Sequence, residues 1–299
     1  MGQAIGYSDL SIVLPARNES VSVATLIPEL RQRYSDAEIL LVDDASDDDT
    51  GSVAQRAGAR VLAHPYAKGN GAAIKTGIRS ASRPYIVCMD ADGQHQPEEI
   101  AGLLERMNHG YDLVIGERNR AGQATFGRWL ANAFYNRLAS WIVGHRIKDL
   151  TSGFRVFRAS CMREFLHLLP NGFSYPATST IAFFRAGYSV GFKSINVRAR
   201  DKSGKSHVRA TRDGVRFLLI IFRIATLYSP MKVFFPLSVF FGSATVAYYG
   251  YTFATAGRFT NFGALLGTTA VLVFLIGLVA EQITQMMYAQ GRGSATPEQ

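Results

Sequence analysis

The 299-residue chain contains little cysteine, with Cys88 and Cys161 as its two thiols. Two cysteines cannot form the disulfide framework that stabilises small secreted domains, so a reducing compartment is the simpler interpretation. Cysteine and histidine residues also do not have the spacing of a zinc site. The first ten residues lack a basic stretch followed by an apolar core, so no signal peptide is indicated and the N-terminal part is expected in the cytosol.

Two common nucleotide-binding fingerprints are absent as well. The glycine-rich stretch Lys68–Ala73 has neither the spacing of the P-loop nor that of the G-x-G-x-x-G turn, so neither an ATPase nor a dehydrogenase is supported. The formal net charge of +9 suits nucleic acid, anionic lipid or a phosphorylated substrate. No run of interleaved basic and aromatic residues resembles a nucleic-acid module, so no nucleic-acid partner is expected.

The first half of the chain alternates short apolar runs with helical patterns. Strands are predicted for five runs rich in Ile, Leu and Val: Leu10–Leu14, Glu38–Val42, Arg60–Ala63, Tyr85–Met89 and Leu113–Ile115. Helices are predicted between them for Val21–Tyr34, Thr50–Ala57, Ala72–Ala81 and Pro97–Asn108. This alternation predicts βαβ units, a mostly parallel sheet with helices on both faces, and a ligand at the carboxyl ends of the strands.

Two long apolar segments follow in the last third of the chain. Neither Val233–Gly257 nor Phe259–Ala280 contains a charged side chain, and each is long enough to cross ~30 Å of hydrocarbon as a helix. We predict a hairpin of transmembrane helices at about 233–255 and 261–283, within 231–290; two buried core helices are the alternative. Basic residues flank the hairpin on both sides, against Arg258 alone in its turn, which predicts a multi-pass inner-membrane protein with both termini and the tail 291–299 in the cytoplasm.

Residues 209–230 are predicted to form an amphipathic helix before the hairpin. Its arginines fall at offsets of three, seven and fourteen, which places them on one face: Arg209, Arg212, Arg216 and Arg223. Such a helix would lie in the headgroup layer of a membrane. The alternative is a helix packed on protein, for example at a contact in a homo-oligomer. The globular domain is therefore assigned to residues 1–208.

The strongest chemical motif is Asp90–His95, directly after the predicted strand Tyr85–Met89. Two carboxylates one residue apart at a strand end cannot both be buried without a cation. An oxygen-rich site suits Mg²⁺ or Mn²⁺, which would bridge to a diphosphate and neutralise a leaving group. A solvated turn is the alternative. We expect His95, like His64 and His145, to be structural, because hard cations prefer oxygen ligands.

Acidic residues also follow another predicted strand. Asp43 and Asp44 come at the end of Glu38–Val42 and could accept hydrogen bonds from a ribose or a base. Helix capping by Ser46–Asp49 is the structural alternative, and both interpretations can hold because they use different side chains. A further polar turn, Leu14–Glu19, follows the first strand.

Six segments, taken in order, resemble the dolichyl-phosphate mannose synthase family, which belongs to family 2 of the glycosyltransferases. The segments are Leu14–Glu19, Val42–Ser46, Lys68–Ala73, Met89–Pro97, Gly116–Arg120 and Asp149–Arg155. The likeness runs from about Leu10 to Ser206, and the C-terminal hairpin is similar to that of bacterial relatives that glycosylate undecaprenyl phosphate. The resemblance implies an α/β fold of GT-A (Rossmann-like) type, with a mostly parallel sheet, flanking helices, an amphipathic interface helix and a transmembrane hairpin.

The resemblance also implies a role for each matching residue. The implied nucleotide-binding residues are Pro15, Arg17, Glu19, Asp43, Asp44, Lys68 and Asp90. The implied metal ligands are Asp90, Asp92 and Gln94, and the implied contacts of the acceptor phosphate are Arg118, Arg128 and Asn132. Of these, Asp92, Arg118 and Arg128 are the implied catalytic residues, and guanidinium groups suit phosphate because they bind its oxygens in a bidentate fashion. The implied acceptor-side and late-loop residues are Asp149, Ser152, Arg155, Arg200, Lys202, Lys205 and Ser206.

The implied reaction is an inverting transfer of a monosaccharide from a UDP- or GDP-sugar to a polyprenyl phosphate of undecaprenyl or dolichyl type. The acceptor oxygen is already ionised at neutral pH, so no general base is needed, and residues 173–179 contain no acid. One alternative is a processive polysaccharide synthase, which the number of spans and the missing Q-x-x-R-W motif disfavour. The other is a non-catalytic, membrane-tethered nucleotide-sugar binder, which the intact Asp90–Gln94 motif disfavours.

Overall fold

A computed structural model of the chain describes residues 4–118, 126–172, 174–197, 222, 225–226 and 229–293, without the side chains of 126–131 and 287–293. The chain divides into two compact units, Met1–Ala210 and Thr211–Gln299. The first unit contains a sheet with helices packed on it, and the second contains the helical hairpin. The predicted amphipathic helix at 209–230 falls almost wholly outside the described residues.

The first unit alternates strands and helices as predicted. Its strands are β1 (Leu10–Ala16), β2 (Glu38–Asp43), β3 (Arg60–Ala63), β4 (Tyr85–Cys88), β5 (Leu113–Arg118), β6 (Arg155–Arg158) and β7 (Val190–Ile195). Its helices are α1 (Ser20–Arg33), α2 (Thr50–Arg56), α3 (Asn70–Ser80), α4 (Glu99–Met107), α5 (Phe126–Val143), α6 (Ala159–Glu164) and α7 (Tyr175–Arg185). The five predicted strands and four predicted helices are confirmed within three residues at each end.

The seven strands form one sheet in the order β3-β2-β1-β4-β6-β5-β7. Strands β1 to β4 pair in parallel, whereas β6 is antiparallel to both β4 and β5. Because β5 pairs in parallel with β7, six of the seven strands run in one direction. Their carboxyl ends therefore meet at one edge of the sheet, and β6 begins at that same edge. The prediction of a mostly parallel sheet is confirmed.

The core lies on both faces of the central strands. All seven residues of β1 are buried, and alternate side chains such as Leu10, Ile12 and Leu14 belong to a cluster with α1 and α4. On the other face α3 packs unusually close, since a Cβ built at Gly77 would lie 2.2 Å from Cγ1 of Val13. A glycine is therefore required where α3 crosses β1.

The second unit is an antiparallel helical hairpin of α8 (Pro230–Ala256) and α9 (Asn261–Gly293). Gly257 closes α8 in a left-handed conformation, and its N–H donates to the carbonyl of Phe253. Three glycines of α9 face larger side chains of α8, as Gly263 faces Tyr249, Gly267 faces Thr245 and Gly277 faces Phe234. Small residues at such contacts let two helices approach closely within a membrane.

By length and composition both helices could cross a membrane. The stretches Pro230–Ala256 and Asn261–Met286 have mean hydropathies of 1.3 and 2.4, and at most 11% of either apolar window is buried within the protein. The alternative of two buried core helices is therefore not supported, because their apolar side chains are exposed. The predicted spans lie inside these helices, and α9 continues beyond position 283.

Candidate functional site at the carboxyl edge of the sheet

The turns after β1 and β2 are joined to each other by hydrogen bonds. The N–H of Asn18 donates to Oγ of Ser46 at 3.0 Å, and the N–H of Asp47 donates to Oδ1 of Asn18 at 2.7 Å. Asp43 accepts from both the N–H and the hydroxyl of Ser46, so its Oδ1 is used within its own turn. Asn18 adopts a left-handed backbone conformation with φ of 56°, which asparagine tolerates.

Helix α2 begins with a side-chain contact from within Ser46–Asp49, the segment named in the capping alternative. Asp49 is the N-cap residue but makes no side-chain cap hydrogen bond. Instead, Oδ1 of Asp48 accepts from the N–H of Thr50 at 3.0 Å. Asp48 also accepts from the N–H of Ser20, so it ties α2 to the start of α1. This corner is therefore built from short-range and cross-turn bonds, and Arg17 is exposed beside it.

Asp44 is buried, with 5% of its surface exposed, and both of its carboxylate oxygens are engaged. Oδ1 contacts Nδ1 of His64 at 2.7 Å and accepts from the N–H of Lys68, while Oδ2 accepts from the N–H of Gly69 at 2.7 Å. Nε2 of His64 contacts the hydroxyl of Thr76 at 2.9 Å. Burial opposes ionisation of Asp44, but these hydrogen bonds prevail and lower its pKa.

The glycine-rich turn after β3 packs against another backbone segment. The N–H of Gly71 donates to the carbonyl of Gly172, and the N–H of Ala72 donates to the carbonyl of Asn171. A Cβ built at Gly71 would lie 2.1 Å from the carbonyl oxygen of Pro170. The first amides of α3 are therefore occupied by protein carbonyls, and the glycines allow this close approach.

Asp90 follows β4 at the centre of the edge and is half-buried. No described residue donates a hydrogen bond to its carboxylate, although its own N–H donates to Nδ1 of His95 at 3.2 Å. Burial raises the pKa of Asp90 even though the positive charges of Arg118 and Arg155 oppose the change. Two residues further on, Oδ1 of Asp92 accepts from the N–H of Gln94 at 3.1 Å.

His95 supports this turn. It is 6% exposed, and its ring stacks on Phe154 with 5.0 Å between ring centroids. Because Nδ1 accepts a backbone hydrogen bond, it carries no proton. Burial lowers the pKa of His95 to about 4, so the ring is neutral near pH 7. This arrangement matches the structural role expected for His95.

Arg118 ends β5 and binds Asp149 in a bidentate ion pair. Nε and Nη2 of Arg118 lie 2.8 and 2.9 Å from the two oxygens of Asp149, and Nη2 also donates to the hydroxyl of Thr151. Burial works against the charge of Arg118, but Asp149 outweighs it and raises the pKa of the guanidinium. For the same reason the pKa of Asp149 is lowered although its burial would raise it.

Arg155 is fully buried at the start of β6. Its guanidinium donates to the carbonyl of Ser152, to the carbonyl of Pro176 at 3.0 Å and to the hydroxyl of Ser179 at 2.8 Å. Burial lowers its pKa, and its donors meet carbonyl and hydroxyl oxygens. Oγ of Ser152 is buried and has no partner among the described residues.

The structure describes less of the other expected site residues. Asn132 is half-buried on α5, and the side chain of Arg128, at the start of that helix, is not described. Four late-loop residues lie outside the described residues: Arg200, Lys202, Lys205 and Ser206. The roles implied for all these residues stay predictions. The structure does bring the ends of β1, β2, β4 and β5 to one edge, as the sequence predicted.

The residues at the end of β4 fit a hard divalent cation. Asp90 and Asp92 supply carboxylate oxygens and Gln94 an amide oxygen, which are the ligand types that Mg²⁺ and Mn²⁺ accept. The partly exposed Asp90 carboxylate lacks a described donor, so a cation would satisfy it. Within the described part of the chain, His, Cys, Asp and Glu residues nowhere gather in threes that could hold a metal. A cation at this edge would therefore need further oxygens from a ligand or water.

Sequence reasoning missed the residues behind Asp90. Tyr175, at the start of α7, donates its hydroxyl to the carbonyl of Gly153 at 2.8 Å, and only 2% of its surface is exposed. Gly153 lies within the Asp149–Arg155 motif, but the motif alone does not say which side chain approaches it. Tyr175 carries no local signal, because its partner lies 22 positions earlier in the chain.

Comparisons with known proteins agree with this arrangement. The family model described as glycosyl transferase family 2 matches residues 11–166, and the model described as GtrB C-terminal hairpin matches residues 229–286. Together they cover the sheet unit through β6 and most of the hairpin.

Curated relatives and solved structures are also similar. The chain is 33% identical to a dolichyl-phosphate hexose transferase of Haloferax volcanii over 165 residues, covering 54% of this chain and 69% of that protein. It is 34% identical to an undecaprenyl-phosphate mannosyltransferase of Micrococcus luteus, covering 50% and 67%. A glucosyl-3-phosphoglycerate synthase of Mycobacterium tuberculosis, solved with Mn²⁺, UDP and phosphoglyceric acid, superposes with a TM-score of 0.57 at 22% identity, covering 71% and 78%. This likeness confirms the predicted fold.

Proposed function

The chain belongs to glycosyl transferase family 2, and we propose that it transfers one monosaccharide from a UDP- or GDP-sugar to a polyprenyl phosphate. The product is a polyprenyl-phosphate sugar, formed with inversion at the anomeric carbon. The observation that carries the proposal is the Asp90 carboxylate, which is partly exposed at the carboxyl edge and lacks a described hydrogen-bond donor. The names of the two curated relatives support a polyprenyl-phosphate acceptor.

On the donor side, Asp90, Asp92 and Gln94 would hold Mg²⁺ or Mn²⁺. When bound, such a cation neutralises negative charge on the diphosphate leaving group. The nucleotide is proposed to lie toward the turns after β1, β2 and β3, near Pro15, Arg17 and Glu19. Asp43, Asp44 and Lys68 border the same region, with Asp44 acting through the turn that it holds.

On the acceptor side, Arg118 would hold the phosphate, together with Arg128 and Asn132 of α5. Asp149 keeps the guanidinium of Arg118 in one orientation through two hydrogen bonds. A phosphate oxygen is already ionised at neutral pH, so this chain need not supply a base to activate the acceptor. Catalysis then depends on alignment and on stabilisation of charge by fixed groups.

For its location, we propose that the hairpin anchors the catalytic unit at the cytoplasmic face of the inner membrane. The two apolar helices and the basic residues on both flanks of the hairpin support this orientation. The boundaries 1–208, 209–230, 231–290 and 291–299, and a contact between two copies through 209–230, stay predictions.

The function is tested with the full chain purified in detergent. Undecaprenyl phosphate, Mn²⁺ or Mg²⁺, and a panel of UDP- and GDP-sugars are supplied, and glycolipid is detected by mass spectrometry. Wild type is expected to form a lipid phosphate carrying one sugar, whereas Asp92→Asn is not. The exposed Asp36→Asn is a matched control, because it removes a carboxylate remote from the site.

Other outcomes would contradict the proposal. Products that carry many sugars would indicate a processive synthase. Nucleotide binding without turnover across the whole panel would indicate a membrane-tethered nucleotide-sugar binder.

A further inference from the structure

Gly153 forms the wall against which the Asp90 carboxylate rests. A Cβ built at Gly153 would lie 3.1 Å from Oδ2 and 3.4 Å from Oδ1 of Asp90, so both oxygens face this backbone position. The same Cβ would lie 3.4 Å from the hydroxyl of Tyr175. The absence of a side chain at Gly153 therefore lets Asp90 and Tyr175 approach one short piece of backbone from two directions.

Two buried side chains fix that piece of backbone from behind. Tyr175 donates to the carbonyl of Gly153 at 2.8 Å, and Arg155 donates through Nε and Nη2 to the carbonyl of Ser152. The guanidinium of Arg155 also lies over the ring of Tyr175, 5.6 Å from its centroid. Consecutive carbonyls of this segment are thus each held by a different buried side chain.

Arg155 further ties the segment to α7. It donates to the carbonyl of Pro176 and to the hydroxyls of Ser179 and Thr180 in the first turns of that helix. With 0% of Arg155 and 2% of Tyr175 exposed, neither side chain has the exposed surface that contact with a substrate requires. Their hydrogen bonds instead join the start of α7, the Ser152–Gly153 segment and β6 to one another.

We propose that Tyr175 and Arg155 are positioning residues for Asp90, and that they set where its carboxylate meets the divalent cation. This inference rests on the proposed function, in which Asp90 is a metal ligand. The hydrogen bond from Tyr175 fixes the backbone at Gly153, and the Asp90 carboxylate packs against that backbone. Because Asp90 has no described hydrogen-bond donor, this packing is what positions its carboxylate. The role that the resemblance implied for Arg155, to shape the acceptor side of the site, stays a prediction.

The test measures Mn²⁺ affinity of the full chain in detergent by electron paramagnetic resonance, with UDP and with GDP. Tyr175→Phe keeps the ring and removes the hydroxyl, and we expect Mn²⁺ to bind about fivefold more weakly, as for the loss of one hydrogen bond. Tyr188→Phe is the matched control, because the hydroxyl of half-buried Tyr188 donates to Glu164 elsewhere in the unit. This control is expected to bind Mn²⁺ like wild type.

A kinetic measurement separates positioning from a general loss of structure. For Tyr175→Phe we expect a raised Mn²⁺ concentration for half-maximal transfer, with kcat at saturating Mn²⁺ close to that of wild type. Gly153→Ala is a second variant that keeps both buried side chains, and its Cβ, 3.1 Å from Oδ2, would require the Asp90 carboxylate to shift by a few tenths of an ångström. It is expected to weaken Mn²⁺ binding in the same direction.

The outcomes distinguish this inference from the proposed function. If wild type binds Mn²⁺ and transfers sugar, but Tyr175→Phe binds Mn²⁺ as wild type does, the positioning role is wrong and the function stands, whatever Gly153→Ala does. If wild type neither binds Mn²⁺ with either nucleotide nor makes glycolipid, the proposed function fails and this inference fails with it.

Discussion

Asp44 and Asp90 occupy equivalent places in the sheet and have opposite surroundings. Each follows a parallel strand, β2 for Asp44 and β4 for Asp90, at the carboxyl edge. Asp44 is 5% exposed and bonded to His64, Lys68 and Gly69, whereas Asp90 keeps exposed surface and accepts from no described residue. The carboxylate of Asp44 is fully bonded within the protein, whereas the carboxylate of Asp90 is available to a ligand.

The protonation of the two carboxyl groups follows the same contrast. Hydrogen bonds lower the pKa of Asp44 against the effect of burial, while burial raises the pKa of Asp90 against the effect of two arginines. A carboxylate that lacks donors and has lost hydration is stabilised most by an incoming cation. The two acids therefore differ in the oxygen atoms that the surrounding loops leave without a described donor, and the proposed metal site lies at Asp90 and not at Asp44.

The largest expected effect comes from Asp90→Asn. We expect kcat/KM for sugar transfer to fall about 10³-fold, the scale seen when one charge-stabilising group is removed from an active site. Thermal unfolding should occur at the wild-type temperature or above it, because the change removes a half-buried carboxylate that has no described hydrogen-bond donor. Glycolipid assays and circular dichroism on the same preparation check both expectations. A strongly lowered unfolding temperature would mean that Asp90 stabilises the fold instead.

Gly71→Ala is expected to destabilise the catalytic unit by about 3 kcal/mol, because overpacking against rigid backbone has costs of this order. The new Cβ would lie 2.1 Å from the carbonyl of Pro170 and would break the contact between α3 and residues 170–172. Gly172→Ala is the matched control in the same joint, since nothing lies within 4 Å of a Cβ there. Denaturant unfolding of both variants checks this, and equal stabilities would contradict the proposed close contact.

Asp149→Asn is expected to lower kcat/KM roughly 10²-fold, because Arg118 would lose the partner that orients it. Asp112→Asn is the control, since Asp112 pairs with Arg158 at 3.2 Å at the other end of β5. If both variants lose transfer equally, the orientation of Arg118 by Asp149 does not explain the loss of kcat/KM.

The ion pair of Arg118 with Asp149 also makes the free energy of unfolding depend on pH in a defined direction. The pKa of Asp149 is lowered in the folded protein, so its contribution is present above the unfolded pKa and is lost as pH falls through the folded pKa. The difference in unfolding temperature between wild type and Asp149→Asn should therefore shrink on acidification below pH ~4, the ordinary range of aspartate.

Asp44→Asn is expected to have the smallest effect on sugar transfer. It is the counterpart of Asp90→Asn, because it is expected to change stability more than transfer. Asparagine keeps one acceptor oxygen, so the N–H of either Lys68 or Gly69 would lose its partner, which should lower the free energy of unfolding by about 2 kcal/mol. The rate of transfer by the folded protein should stay within roughly tenfold of wild type, a difference of at most about 1.4 kcal/mol. A loss of transfer comparable to that of Asp90→Asn, in a protein of wild-type stability, would show that Asp44 binds the donor directly.

Much of the fold was predictable because local patterns fix it. The strands β1 to β5 are apolar runs bounded by capping or turn residues, so their sequences alone indicate them. Strands β6 and β7 were missed, since Arg155–Arg158 and Val190–Ile195 mix charged with apolar residues and depend on pairing with distant strands. The hairpin was predictable from its uncharged length.

The site was predictable only in part. The position of Asp90 after a strand predicted its place at the carboxyl edge of the sheet, but nothing near Asp44 in the sequence indicates that His64, 20 positions later, would engage it. The glycine-rich turn at Lys68–Ala73 was visible in the sequence, but the requirement for Gly69 and Gly71 comes from the backbone of Pro170 and Asn171, about a hundred positions away. Loop conformation and long-range contacts decide which acid stays unsatisfied, and a linear motif does not contain them.

The most direct test of the contrast is the thermal shift caused by Mn²⁺ with UDP or GDP, measured side by side on wild type, Asp44→Asn and Asp90→Asn. We expect Asp44→Asn to start from a lower unfolding temperature but to keep the ligand-induced rise. We expect Asp90→Asn to start at or above the wild-type unfolding temperature and to show no such rise. The reverse pattern, with the rise lost in Asp44→Asn and kept in Asp90→Asn, would contradict it.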